Sequence, residues 1–74
     1  MAIRFNVNGV APAELRDFYR KLGRNGYTVE LTNSKVVRIS GHDLLSPVGG
    51  PYTSGDPHSV QHLKTRMRHR GAKL

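Results

Sequence analysis

The period at which apolar residues recur changes along the chain, and this pattern most limits the folds that the chain can adopt. Two segments repeat at helical spacing, so each would present an apolar stripe about 100° wide to a core. The first stripe consists of Leu15, Phe18, Tyr19 and Leu22, and the second of Val60, Leu63 and Met67. We therefore predict two amphipathic helices, one in each half of the chain.

Proline, aspartate and glycine residues indicate where these two helices begin and end. Pro12 suits the first turn of the first helix, and Gly23 or Gly26 would end it. In the second helix, Asp56-Pro57 would supply the N-cap and the first helical residue, and Gly71 is a natural stop. The region between the helices is left for strands and loops.

Between the helices, apolar residues alternate with polar ones, as expected for strands with one buried face. The segments GYTVEL (residues 26–31) and VVRIS (residues 36–40) predict the first two strands. A short third strand is predicted from Leu44 to Val48, and we interpret Gly49-Gly50-Pro51 as the turn that closes it. The predicted order is helix, three strands, helix.

This order predicts a single α+β domain in which two helices cover one face of a three-stranded antiparallel sheet. A chain of 74 residues is near the lower limit for a domain that folds alone. Residues 11–72 would form the α-β-β-β-α core. Residues 1–10, in which Ile3, Phe5 and Val7 alternate with polar residues, would form an N-terminal edge strand or a docked arm.

Composition narrows the functional class. The chain has no cysteine, which excludes disulfides and thiolate metal sites, and no apolar segment in it is long enough to span a bilayer. We therefore expect a cytoplasmic protein without a membrane partner, and the sequence indicates no cofactor. Lys and Arg total 12 against 5 Asp and Glu, a net charge of +7, which favours polyanions such as nucleic acid.

The positive charge is concentrated after Asp56, where no acidic residue follows. Such concentration favours contact with nucleic acid over a merely solvated helix face. Cations on the first helix would supply a second contact, as expected if two helices span a duplex by its shape. The predicted contacts are Lys64, Arg66, Arg68, His69, Arg70, Lys73 and His62 near the second helix, and Arg20, Lys21 and Arg24 on the first.

The order of elements over residues 11–72 resembles that of double-stranded-RNA-binding domains, and its details resemble HicA-type mRNA interferase toxins. The matching segments are Leu15–Leu22, Gly26-Tyr27, the hairpin from Asn33 to Ile39, Asp56–Ser59 and the basic helix from Leu63 to Arg70. The resemblance implies a small RNA-binding protein of the toxin–antitoxin type. Size and charge would suit a protein encoded by a phage or another mobile element.

This chain departs from the HicA pattern at the catalytic residue. The family carries a catalytic histidine near the start of the second strand, but the corresponding stretch here is Asn33-Ser34-Lys35-Val36. We therefore expect the scaffold and its nucleic-acid binding to be kept without efficient catalysis. The alternative is a diverged ribonuclease that uses His42 or His58.

Two groups of histidines offer candidate chemistry beyond binding. His42 next to Asp43, with Arg38 on the same hairpin, has the base, carboxylate and cation that RNA cleavage needs, but this stretch is more typical of a hairpin turn. His58 and His62 have the i,i+4 spacing of a two-histidine metal pair. No nearby carboxylate or cysteine is evident in the sequence, so we expect a solvated histidine face and no metal.

A protein partner is the other alternative to nucleic acid. An exposed edge strand, at Ile3–Val7 or at Leu44–Val48, could be completed by a strand of an acidic host or antitoxin protein. The sequence leaves the oligomeric state open.

Overall fold

The computed structural model describes residues 3–32 and 35–73. In chain order, the elements in these ranges are the 3₁₀ helix Val7–Gly9, α1 (Ala13–Arg24), β1 (Thr28–Leu31), β2 (Val36–Ser40), β3 (Val48–Pro51) and α2 (Ser59–His69). The α-β-β-β-α order predicted from the apolar periodicity is thereby confirmed. No helix in these ranges is long and apolar enough to cross a membrane.

The three strands form an antiparallel sheet in the order β1-β2-β3. Val29 pairs with Ile39 and Val37 pairs with Gly50, so these positions share one face of the sheet. The three apolar side chains on this face are fully buried, whereas Arg38, on the opposite face, is exposed. The alternation predicted for the first two strands is confirmed at these positions, but Leu31, predicted on the same face as Val29, is 38% exposed at the end of β1.

Helices α1 and α2 both pack on the buried face of the sheet. Their most buried side chains are Leu15, Tyr19 and Leu22 of α1 and Leu63 and Met67 of α2. The two predicted apolar stripes therefore meet the sheet in one core. Removal of this apolar surface from water is the main driving force for folding a domain of this size.

Strand β3 differs from its prediction. The predicted strand from Leu44 to Val48 is wrong, since most of that segment is a loop in which Leu45 is 89% exposed. The predicted Gly49-Gly50-Pro51 turn is instead the body of β3. Packing requires the glycine, because a Cβ atom on Gly50 would lie 2.6 Å from the hydroxyl oxygen of Tyr19. A residue type that usually indicates a turn here allows close contact between helix and sheet.

The amino-terminal segment is a docked arm rather than an edge strand. Ile3 forms a single parallel bridge with Val29, and Arg4 donates its backbone N–H to the Val29 carbonyl at 2.9 Å. The chain then turns into the 3₁₀ helix, where the Asn6 side chain accepts a hydrogen bond from the Asn8 N–H at 3.0 Å. This turn ends the extended conformation that the alternation of apolar residues predicted.

Helix α2 begins at Ser59 rather than at Pro57. The carboxylate of Asp56 accepts a hydrogen bond from the His58 N–H at 2.8 Å, so it caps a turn that precedes the helix instead of the helix itself. The predicted stop is confirmed, because Gly71 follows the helix with a φ of 106°, in the left-handed region that favours glycine.

Candidate nucleic-acid interface

The cationic side chains of α2 leave the helix on two sides. On one side, Arg66 donates from Nη1 to the Gly49 carbonyl at 3.0 Å, and Arg70 donates to a serine hydroxyl in the loop between β2 and β3. On the other side, the Nζ atom of Lys64 lies 5.7 Å from the centre of the Phe18 ring on α1. The Lys64 side therefore faces α1, and the Arg66 side faces the edge of the sheet.

A cleft of about 220 Å³ lies between α1 and α2. We call it the inter-helix cleft, and its lining residues are Phe18, Lys21, Leu22, Asn25, Lys64, Arg68 and Lys73. Four of these residues are cationic, and among the residues that the structure describes no Asp or Glu lines the cleft. Concentrated positive charge over an apolar floor makes it a candidate anion site.

Three separate parts of the chain bring these cations together. On each helix, two lining residues stand four positions apart and so share one face. They are Lys21 of α1 with Asn25, the C-cap that follows this helix, and Lys64 with Arg68 on α2. Lys73 joins them because the chain reverses after α2 at Gly71. The packing of α2 on α1 therefore creates a cationic site that no single segment contains.

The cleft lysines make no side-chain ion pair with a carboxylate of the described residues. Among the described residues, the ion pairs join Arg16 and Arg20 to Asp17, Arg38 to Glu30, and His62 to Asp56. None of these pairs involves a lysine. The ammonium groups of Lys21, Lys64 and Lys73 repel one another, and an anion between them would relieve that repulsion.

The predicted contacts on α1 fall into two places. Lys21 lines the inter-helix cleft, whereas Arg20 and Arg24 line a second cavity of about 360 Å³ beside the amino-terminal arm. Arg20 also donates from Nη2 to the Asn8 side chain at 2.8 Å. Asn25 is a lining residue that the charge pattern does not reveal, although its spacing of four residues from Lys21 indicates the same helix face.

The histidine face of α2 is exposed, as predicted, at His58, His62 and His69. The ring centroids of His58 and His62 are 6.2 Å apart, and Oδ2 of Asp56 lies 3.4 Å from Nδ1 of His62. The expectation of no nearby carboxylate is therefore wrong, because the turn before α2 brings Asp56 back toward the helix. Within residues 3–32 and 35–73, no group of three His, Cys, Asp or Glu residues could hold a metal ion.

His42 lies in an exposed turn between β2 and β3, which confirms the hairpin-turn interpretation. Its neighbour Asp43 accepts a 2.7 Å hydrogen bond from the Tyr27 hydroxyl, and this bond lowers the pKa of the Asp43 carboxyl below its usual value. Burial, together with Asp43, raises the pKa of Tyr27 to about 12. Arg38 is held by Glu30, with Nη2 2.5 Å from Oε1. Asp43 and Arg38, the carboxylate and the cation considered for RNA cleavage together with His42, therefore bind Tyr27 and Glu30 respectively.

In the described residues, neither edge strand predicted for a protein partner is present. The amino-terminal arm makes only the bridge at Ile3, and the loop before Val48 is not a strand. Strand β3 is one edge of the sheet, and there the Arg66 side chain donates a hydrogen bond to the Gly49 carbonyl. An incoming strand would have to compete with the arginine for this group.

Comparisons with protein-family models, with curated proteins and with solved structures give no significant match for this chain. The resemblance of residues 11–72 to HicA-type and double-stranded-RNA-binding domains stays a prediction. Where the HicA family carries its catalytic histidine, Asn33 and Ser34 lie outside the described residues, and Lys35 follows with a φ of 57°.

Proposed function

We propose that this protein binds nucleic acid, with RNA favoured over DNA, through the inter-helix cleft and the neighbouring cations of α2. The observation that carries the proposal is the lining of the cleft, in which Lys21, Lys64, Arg68 and Lys73 meet without an acidic residue among the described lining. A net charge of +7 supports the same class of ligand.

Phosphate groups suit these side chains chemically. Each lysine ammonium is a compact charge with three donors, and such a charge binds phosphate oxygens readily. Binding of each phosphate would release condensed counterions, so affinity should fall steeply as salt rises. Arg66 and Arg70, on the other side of α2, would add contacts if their present acceptors on the sheet edge and loop were exchanged for phosphates.

Recognition of the backbone is better supported than stacking on bases. Proteins that stack bases usually expose aromatic side chains on a sheet face. The outer positions of β1 and β2 in the described chain carry no aromatic residue, and the Glu30–Arg38 ion pair lies there. Phe5 and Tyr52 are half-buried, with ring centroids 6.2 Å apart. A protein of this kind would recognise RNA by its shape and charge. We also propose that the chain is related to HicA-type proteins, and the α-β-β-β-α order supports this relationship.

The experiment is a fluorescence-anisotropy titration of duplex RNA, single-stranded RNA and duplex DNA of equal length at two salt concentrations. We expect salt-sensitive binding that is strongest for RNA and leaves the RNA uncut on a gel. Arg66→Ala and Arg68→Ala should each weaken binding and lower the salt slope by about one. Unchanged affinity in both variants would contradict the assignment to α2, and cleavage that His42→Ala or His58→Ala abolishes would indicate a ribonuclease.

A further inference from the structure

We propose that the inter-helix cleft binds a terminal phosphate of the nucleic acid, a phosphomonoester at a strand end, in preference to an internal phosphodiester. This inference rests on the proposed function and specifies which part of the ligand enters the cleft. It begins from the shape of the site, which is a recess between two helices rather than a stripe of cations along one helix.

The shape of the cleft favours a group that projects from the end of a chain. Its floor includes Phe18 and Leu22, which are buried, and its volume is about 220 Å³. That volume is several times the roughly 30 Å³ that one water molecule occupies in the liquid, so a phosphate group with part of its hydration would fit. An internal phosphodiester carries a sugar on both sides, whereas a terminal phosphate carries a sugar on one side only and can therefore enter a recess between two helices more easily.

The charge of the cleft favours a dianion. A phosphomonoester carries a charge of about −1.5 to −2 at pH 7 and has three strong acceptor oxygens, whereas an internal phosphodiester carries a single charge. Lys21 approaches from α1, Lys64 from α2 and Lys73 from the segment after α2, so each could donate to a different oxygen. Three cations from three parts of the chain match three free oxygens better than they match the two free oxygens of a diester.

Two further features would position the group. Lys64 lies over the Phe18 ring, with Nζ 5.7 Å from the ring centre, so a cation–π contact holds its ammonium close to the floor of the cleft. Asn25 adds a neutral amide, which can donate to a phosphate oxygen or accept from a hydroxyl of the terminal sugar. The cleft therefore combines charge with donors that can orient a strand end.

The test uses one single-stranded RNA sequence in three forms, with a 5′-phosphate, with a 3′-phosphate, or with hydroxyl groups at both ends. We expect one of the two phosphorylated forms to bind the wild-type protein about tenfold more tightly than the hydroxyl form, the scale of one charge-assisted hydrogen bond. Which form gains affinity identifies the strand end. Inorganic phosphate should compete with that form more effectively than with the hydroxyl form.

Lys64→Gln and Lys21→Gln should each remove most of the preference for the phosphorylated RNA. Lys35→Gln removes the same charge at a residue that does not line the cleft, so it should keep the preference. Circular-dichroism melting of each variant would verify that it is folded. If one of the two cleft variants does not fold, the other still shows whether the preference for phosphorylated RNA depends on the cleft.

Equal affinity of the wild-type protein for all three RNA forms would overturn this inference. If that common affinity were salt-sensitive, the proposed nucleic-acid binding would still stand. A preference for a phosphorylated end that survived in both cleft variants would also overturn it, because the terminal phosphate would then be bound elsewhere. Absence of binding to every form would overturn both proposals.

Discussion

The hydroxyl oxygen of Tyr19 lies 2.6 Å from the position that a Cβ atom on Gly50 would occupy. The same hydroxyl donates a 2.7 Å hydrogen bond to the Pro51 carbonyl. Two methyl carbons of Leu63 lie 3.2 and 3.3 Å from the same Cβ position. Helices α1 and α2 therefore both contact β3 at Gly50, and this point fixes how the two helices are placed over the sheet.

Gly50→Ala should destabilise the fold by about 1–3 kcal/mol, because the added methyl group would force Tyr19 and Leu63 out of a packed core. Gly49→Ala is the matched control on the same strand, since its Cβ would meet Val36 Cγ1 at an ordinary 3.4 Å. Urea unfolding of both variants would measure the difference. Equal stability of the two variants would contradict the close packing at Gly50.

Tyr27→Phe should lower the thermal midpoint near neutral pH, because Asp43 would lose the hydrogen bond from the Tyr27 hydroxyl. That bond lowers the pKa of Asp43 in the folded protein from its usual value of 3.8. The Tyr27–Asp43 hydrogen bond therefore stabilises the folded state fully at pH values above the usual carboxyl pKa. This stabilisation is lost as the pH falls through the lower pKa of the folded state, since the unfolded chain takes up its proton first.

The measurement is the thermal midpoint of both proteins from neutral pH into the acid range. The gap between wild type and Tyr27→Phe should narrow as the carboxyl becomes protonated. Tyr52→Phe removes a phenol hydroxyl that does not contact Asp43. The difference in thermal midpoint between this variant and the wild type should therefore not change with pH. A gap for Tyr27→Phe that does not change with pH would show that Asp43 contributes nothing through this bond.

Leu63→Ala should cost about 2–5 kcal/mol of stability, the range for truncation of a buried leucine. Leu63 is 1% exposed and belongs to the core under α2. Leu45→Ala is the control, because Leu45 is 89% exposed and its truncation should change stability by less than about 0.5 kcal/mol. Similar denaturation midpoints for the two variants would contradict the position of α2 on the sheet.

The helices and the first two strands could be predicted because their apolar residues recur at the periods of those elements. Strand β3 could not, since Gly50 is there for contact with Tyr19, a residue distant in sequence. The amino-terminal arm also departs from its pattern. Ile3 and Val7 belong to an alternating run, but the turn at Asn6 ends the extended chain after one bridge.

The candidate site was partly predictable. The charge pattern identifies Lys21, Lys64, Arg68 and Lys73 as candidate contacts. It does not indicate that Lys21 lines the cleft whereas its neighbour Arg20 lines a different cavity. Which of two adjacent side chains faces α2 depends on how α1 is rotated against the sheet, and packing of the core sets that rotation. The cleft itself arises from the contact of two helices, so no local sequence pattern encodes it.

The most direct test of nucleic-acid binding through the cleft compares two double variants that lose the same charge. Lys21→Gln/Lys64→Gln removes two cations from the cleft, and Arg4→Gln/Lys35→Gln removes two cations elsewhere. We would titrate each variant and the wild type with the same fluorescent RNA across a series of salt concentrations. The cleft variant should bind more weakly, with a salt slope reduced by about two, while the control stays close to wild type. Equal loss of affinity in both variants would contradict the account, because binding would then depend on net charge and not on the cleft.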